Sequence, residues 1–165
     1  MAEGERKYGE YVIRHMAKDD MEMMLFDILN FDGMIFKECA YDMVTWCEII
    51  EKYQHAITLY HKEKLVGIIV SVGNKNTFGE GYDDQIGNSL SYIVTFGVHE
   101  QHRKKGLGTL LLKCLEEKLT STSDCFNIIL DVDKNNKDAI RLYSKNGYGI
   151  VKDLDIHQYI MMKSL

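Results

Sequence analysis

Between an apolar run ending at Val98 and a leucine-rich segment starting at Leu107, the chain gathers Arg103, Lys104, Lys105, Gly106 and Gly108. The first amides of a helix have no internal acceptor, and the helix dipole puts partial positive charge there. Glycine lets a bound group come close to the backbone, and three cationic side chains add full charge. A strand–turn–helix of this composition can hold a phosphate or a pyrophosphate. The same residues would also serve a plain basic turn whose glycines meet tight geometry, and the spacing alone does not separate the two. The pattern is not the dinucleotide-binding fingerprint, because Leu111 stands where the third glycine belongs. It is not a Walker A loop either, since no Gly-Lys-Ser/Thr occurs.

The surrounding elements decide what the turn can do. "YVIRHM" from Tyr11 reads as a first strand, and Asp19 or Asp20 can cap a helix whose apolar positions are Met21, Met24, Leu25, Ile28 and Leu29. Residues 30–39 read as irregular. Residues 41–53 read as a helix with Val44, Cys47 and Ile50 on one face, and Trp46 is expected in the core. "HAITLYHKEKLVGIIVSVG" reads as a hairpin about a charged turn at Lys62 to Lys64. Residues 74–88 are polar and glycine-rich and read as a long loop, of a length that usually marks function or motion. "SLSYIVTFGV" returns to strand. Leu107, Leu110, Leu111, Cys114, Leu115 and Leu119 then repeat at helical spacing. "CFNIILDV" is a core strand, and "NNKDAIRLYSKNGYGIV" is a helix with an asparagine cap and Gly147 at the position after its end. "HQYIMMKSL" is a final strand. Alternating strands and helices of this kind make a layered mixed α/β protein.

Composition bounds the rest. The 165 residues suit one domain, residues 1–165. No apolar run reaches the roughly 20 residues of a membrane span, and "MAEGERKYGEY" lacks the apolar core of a signal peptide. A cytoplasmic protein is expected, with the nucleus also open, and no membrane partner. The net charge of −5 argues against a general nucleic-acid binder. Cys39, Cys47, Cys114 and Cys125 have no zinc-site spacing and read as reduced core residues. His99 and His102, beside the basic turn, read as exposed loop residues that could contact phosphate, and no metal is expected. Glu80, Asp83 and Asp84 read as a solvated loop tip that could also attract a cationic acceptor. Tyr11, Tyr41 and Tyr159 carry no readable role.

Arg103-Lys104-Lys105-Gly106-Leu107-Gly108 after a strand resembles the acetyl-CoA signature of the GNAT superfamily of N-acetyltransferases. A second segment, Asn136 through Ala139 to Tyr143 and then Asn146-Gly147-Tyr148, resembles that family's N-x-x-A-x-x-x-Y helix with its closing glycine–aromatic step. "SYIVTFGV" is similar to a strand of the protein N-terminal (Nα) acetyltransferases. The resemblance implies the GNAT fold: a central mixed, mostly antiparallel sheet of about seven strands, flanked by about four helices, with a V-shaped splay between the fourth and fifth strands.

The resemblance also implies roles. The turn from Arg103 through Lys104, Lys105, Gly106, Leu107 and Gly108 to Thr109 would bind the CoA pyrophosphate through its amides. The backbone of Phe96, Gly97 and Val98 would pair with the pantetheine arm. Asn136 would face CoA, and Tyr143 would sit near the thioester sulfur and protonate the departing thiolate. The acceptor amine must lose a proton before it attacks, and backbone donors must polarise the thioester carbonyl. Direct attack in a ternary complex requires no nucleophilic cysteine. Tyr92 matches a tyrosine that works with a histidine on the following core strand of the Nα-acetyltransferases. In this chain Leu130-Asp131-Val132 stands where they carry Leu-His-Val. Asp131 would then take the proton through water with Tyr92 positioning it, or it would only anchor a loop or pair with a lysine.

The aromatic–proline pair that holds the first peptide residue in those enzymes has no clean match, because the chain contains no proline. Phe31 or Phe36 could serve. Only "KDLDI" separates the last two strands, so the acceptor side is expected to be open. The leading reading is acetyl transfer from acetyl-CoA to a protein or peptide N-terminal amine, with the need for an auxiliary subunit open. A lysine or small-amine acetyltransferase, a non-catalytic acyl-CoA-binding module and a phosphate-binding adaptor remain as alternatives.

Overall fold

Runs rich in β-branched and aromatic residues form a sheet in the computed structural model, which describes residues 5–73, 90–122 and 127–165. Its strands are β1 (Glu5–Tyr8), β2 (Tyr11–Met16), β3 (Tyr53–His61), β4 (Lys64–Gly73), β5 (Leu90–Val98), β6 (Asn127–Asp133), β7 (Gly149–Asp153) and β8 (Gln158–Ser164). They lie in the order β1-β2-β3-β4-β5-β6-β8-β7. The eighth strand is β1, which the sequence reading missed: "ERKY" has no apolar face, and its burial pattern is nearly all exposed. Among the described strands it pairs only with β2, and Arg6 adds an exposed ion pair to Glu117 at 3.7 Å.

The helices are α1 (Lys18–Met23), α2 (Leu25–Phe36), α3 (Met43–Lys52), α4 (Leu107–Thr122) and α5 (Lys137–Lys145). Two apolar clusters lie on opposite faces of the sheet. One joins Ile57, Leu59 and Leu130 to Leu111, Leu112, Leu115 and Leu119 of α4 and to Tyr143 of α5. The other joins Ala56, Ile68 and Val70 to Ile28 and Phe31 of α2 and to Trp46 and Ile49 of α3. Strands covered on both faces read as continuous apolar runs, which is why "AITLY" and "LVGIIVSV" carry so little alternation.

Several local expectations need correction. The first helix is capped by Ala17, and Asp20 acts from the third helical position, its carboxylate accepting the Ala17 amide at 3.1 Å. Residues 30–36 are helical, and α2 ends only where Lys37 takes φ 54°. Trp46, Ile49 and Ile50 form the buried face of α3, while Val44 and Cys47 are exposed. The indole has the largest apolar area to hide, so it sets the rotation of the helix. Cys39 is exposed too; only Cys114 among the described cysteines is buried. The turn between β3 and β4 has positive φ at both Lys62 and Glu63, the geometry that matches strand twist in a two-residue hairpin. The expected loop at 74–88, its acidic residues and Cys125 lie outside the described residues.

The feature that prepares a site is the β5–β6 junction. These strands pair in parallel, but only through Leu90↔Asn127, Ser91↔Ile128 and Tyr92↔Ile129. From Ile93 onward β5 pairs with β4 alone. The two strands therefore part midway, giving the expected V-shaped splay one strand number later because of β1. A β-bulge at Val94 bends β5 at the same point: Ile93 pairs with Ser71 and Thr95 with Val70, leaving Val94 extra.

Candidate active site

The basic turn lies at the end of β5. A 3₁₀ turn at Glu100–His102 follows the strand, Lys104 and Gly106 take φ of 61° and 78°, and α4 begins at Leu107. The helical ladder starts with the Leu110 amide on Gly106 O at 3.0 Å. The amides of Leu107, Gly108 and Thr109 therefore have no acceptor within the helix. Arg103 is committed elsewhere: its amide bonds Glu100 O at 3.2 Å and its Nε donates to Val98 O at 2.8 Å. Lys105 Nζ donates to the Tyr11 hydroxyl at 3.3 Å, and that hydroxyl lies 3.1 Å from Nδ1 of His102. The turn is thus strapped to β2 and β5, and Tyr11 is a strut that sequence reasoning did not single out. His102 is half-buried rather than a free loop histidine.

The two glycines do different work. Gly106 supplies a left-handed turn residue and has open space around it. Gly108 permits close packing: a Cβ there would stand 3.0 Å from Leu142 Cδ2 and 3.5 Å from Phe96 Cζ. That contact joins the two motifs. Asn146 Nδ2 adds a hydrogen bond to Thr109 Oγ1 at 3.3 Å. Asn136 caps α5, its side-chain oxygen accepting the Ala139 amide at 3.1 Å. At the other end, Gly147 and Tyr148 donate to Ser144 O and Tyr143 O, a complete Schellman closure.

Between α4, α5 and β5 runs a row of aromatic rings. Phe96 and Tyr148 flank Tyr143 at centroid distances of 5.9 and 5.8 Å. Burial pushes the Tyr143 phenol well above its ordinary pKa, so it keeps its proton.

Tyr92 and Asp131 meet at the fork. Tyr92 is the last β5 residue paired with β6, and Asp131 lies two residues past its partner, on the same face. The Tyr92 hydroxyl donates to Asp131 Oδ2 at 3.0 Å. Both side chains are half-buried.

The two phenylalanines separate. Phe31 is 2% exposed within the α2–α3 core, which corrects its expected place at the acceptor. Phe36 lies with its ring tip beside Gly97 on β5.

Sequence reasoning missed two residues here. The Tyr41 hydroxyl donates to Val94 O at 3.1 Å, on the bulge. Burial raises its pKa, and the charges of Asp32 and Asp131 raise it further. Asp32, 1% exposed, accepts the Tyr41 amide at 2.8 Å and the Thr95 hydroxyl at 3.4 Å. Burial pushes its carboxyl upward, and those two bonds pull it back. The Trp46 indole N–H neighbours this carboxyl but falls short of hydrogen-bond geometry. A signal for Asp32 existed, since it falls four residues after Ile28 on the apolar stripe of α2; Tyr41 offered none.

A forked strand edge with unpaired helix amides at its end fits a long thioester with a pyrophosphate. Among the described residues no cluster of three or more His, Cys, Asp or Glu side chains could hold a metal ion.

Comparison with known proteins agrees with this geometry. Residues 21–148 match the model of the acetyltransferase (GNAT) family. The spermine/spermidine N(1)-acetyltransferase of Bacillus subtilis is 32% identical over 114 residues, covering 68% of this chain and 72% of that protein. N-alpha-acetyltransferase 60 of Xenopus tropicalis is 24% identical over 159 residues, 90% of this chain and 64% of that protein. The crystal structure of Arabidopsis thaliana NAA60 with acetyl-CoA superposes with a TM-score of 0.73 at 20% identity, covering 94% and 99% of the two chains. The forked sheet, the joined turn and α5 motifs, and a family match across most of the chain make one assignment: this protein belongs to the acetyltransferase (GNAT) family and is an acetyl-CoA-dependent N-acetyltransferase.

Proposed function

We propose that the acceptor is the α-amine of a protein or peptide N-terminus. The observation that carries this reading is the Tyr92–Asp131 hydrogen bond at the point where β5 and β6 part. Acetyl-CoA supplies an activated acetyl group as its thioester. The chain must orient that group, remove a proton from the amine and return one to the thiolate. The amides of Leu107, Gly108 and Thr109, with Gly106, receive the pyrophosphate, and the β5 edge from Phe96 to Val98 lines the pantetheine path. Asp131 accepts the amine proton through water, which Tyr92 orients. Tyr143, kept protonated by burial, supplies the proton to sulfur.

Amine basicity favours the α-amine. Its ordinary pKa is about 7.7–8.0, against about 10.4 for a lysine-type amine. A carboxylate acting through water is a weak base, so it suits an acceptor that is already partly neutral at physiological pH. The relative named N-alpha-acetyltransferase 60, matched over 90% of this chain, supports the same choice.

A second reading, a polyamine acceptor, has its own support. The relative named for spermine and spermidine has the higher identity. Asp131, half-buried at the fork, puts a carboxyl group on the acceptor side that a cationic amine could meet. Only residues 154–157 separate β7 from β8.

Rates of CoA release separate the readings. A peptide with a free α-amine, the same peptide with a blocked α-amine and an internal lysine, and spermidine serve as acceptors with acetyl-CoA. The α-amine peptide is expected to have the highest kcat/KM. A higher value for spermidine would establish the second reading instead.

A further inference from the structure

Asp32 is a buried acid that the transfer reaction does not use. It sits on α2 at 1% exposure, away from the basic turn and the aromatic row. Its two carboxyl oxygens take different partners: Oδ2 accepts the Tyr41 amide and Oδ1 the Thr95 hydroxyl. Tyr41 in turn donates its hydroxyl to Val94 O, and Val94 is the bulged residue just before Thr95. The bonds close a ring: Asp32 to Tyr41, Tyr41 to Val94, and along the chain to Thr95 and back to Asp32. The ring ties α2, the segment entering α3 and the bulge of β5 to one carboxyl group.

A bulge leaves one residue without a regular ladder partner, so neighbouring groups must define its backbone direction. Here the bulge falls just past the last rung shared with β6, where β5 has support only from β4. The strand that borders the thioester thus has its direction set from the helical side. A buried carboxyl group without partners is costly, and here each Asp32 oxygen has one, so the ring offsets the burial of the acid.

We infer that Asp32 is a positioning residue: through Tyr41 and Thr95 it fixes the Val94 bulge, and with it the β5 edge against which acetyl transfer takes place. This rests on the reading that transfer occurs at the β5–β6 fork, not on which amine accepts. The role needs hydrogen bonds rather than charge. An asparagine can keep both links, its Oδ1 accepting the Tyr41 amide and its Nδ2 donating to the Thr95 hydroxyl, which can also accept.

The test compares Asp32→Asn, Asp32→Ala and Thr95→Val in the full chain, with acetyl-CoA and either the α-amine peptide or spermidine, whichever the wild type acetylates. Asp32→Ala is expected to lower kcat at least tenfold and leave KM for acetyl-CoA within about threefold, an order expected for a misdirected reacting edge. Asp32→Asn is expected to stay within about threefold of wild type in both. Thr95→Val, which is isosteric, is expected to lower kcat and to add little on top of Asp32→Ala. Amide hydrogen exchange at Thr95 and Phe96 gives an activity-independent readout, faster in Asp32→Ala and Thr95→Val and unchanged in Asp32→Asn. If Asp32→Asn loses as much kcat as Asp32→Ala while exchange stays protected, the charge itself acts and the positioning role is wrong. If Asp32→Ala keeps wild-type exchange, it is wrong as well. If the wild type acetylates neither acceptor, the functional reading fails, and exchange still decides the role of Asp32.

Discussion

The Tyr92 hydroxyl donates to Asp131 Oδ2 at 3.0 Å from the last rung that β5 and β6 share. The hydrogen bond spans the fork where one strand pair becomes an open groove. It brings a phenol and a carboxylate to the part of the described sheet where two neighbouring strands separate. Asp131→Asn keeps the size and the acceptor oxygen but removes the base. We expect kcat to fall by about 10²-fold with little change in KM for acetyl-CoA, the size of a lost general base. Steady-state kinetics with varied acetyl-CoA would check it.

Tyr143 lies between Phe96 and Tyr148, and burial holds its proton. Tyr143→Phe preserves the rings and removes the donor. We expect kcat to drop by roughly 10²-fold, with the thermal stabilisation by added CoA unchanged. Equal loss of CoA stabilisation would make the hydroxyl a binding group instead.

The two glycines should fail differently. Gly108→Ala forces a methyl toward Leu142 Cδ2 and Phe96 Cζ. It should cost about 1–3 kcal/mol, as overpacking does, and weaken CoA binding because α4 and α5 move apart. Gly106→Ala meets no neighbour but keeps a left-handed φ, with a cost of about 1–2 kcal/mol. Chemical denaturation together with CoA titration distinguishes them.

Acid should destabilise the fold through His55. It sits beside α4, with Thr122 Oγ1 3.0 Å from its Nε2, and burial, Lys118 and His15 depress its pKa to about 4. His15 is shifted the same way by burial and Lys118. The unfolded chain binds these protons first, from about pH 6.5. The stability from neutral His55 is therefore present above pH 6.5 and is lost as pH falls toward 4. With its partial exposure discounted, the loss is about 1 kcal/mol. Thermal melts from pH 7 to 4 should show a decline that His55→Gln reduces.

The framework of the candidate donor half was legible because its geometry is local. Gly106, the helix start at Leu107 and the Asn136 cap each depend on neighbours within a turn, and the structure puts all three where the sequence reading did. The acceptor half depends on residues far apart in the chain. Asp32 meets Thr95 across 63 positions and Tyr41 meets Val94 across 53, and no periodicity encodes such contacts. Phe31 falls three residues after Ile28 on the buried face of α2, and reading residues 30–39 as irregular hid that face. β1 was invisible because edge pairing, not burial, holds it.

The central question is where the acetyl group goes. The direct measurement is a competition in one tube: acetyl-CoA, a peptide bearing both a free α-amine and an internal lysine, and spermidine at equal concentration, with acetylated products resolved by mass spectrometry. Acetylation chiefly at the peptide α-amine, lost with Asp131→Asn, is the predicted result. Acetyl-spermidine as the main product, or undiminished α-amine acetylation by Asp131→Asn, would contradict it.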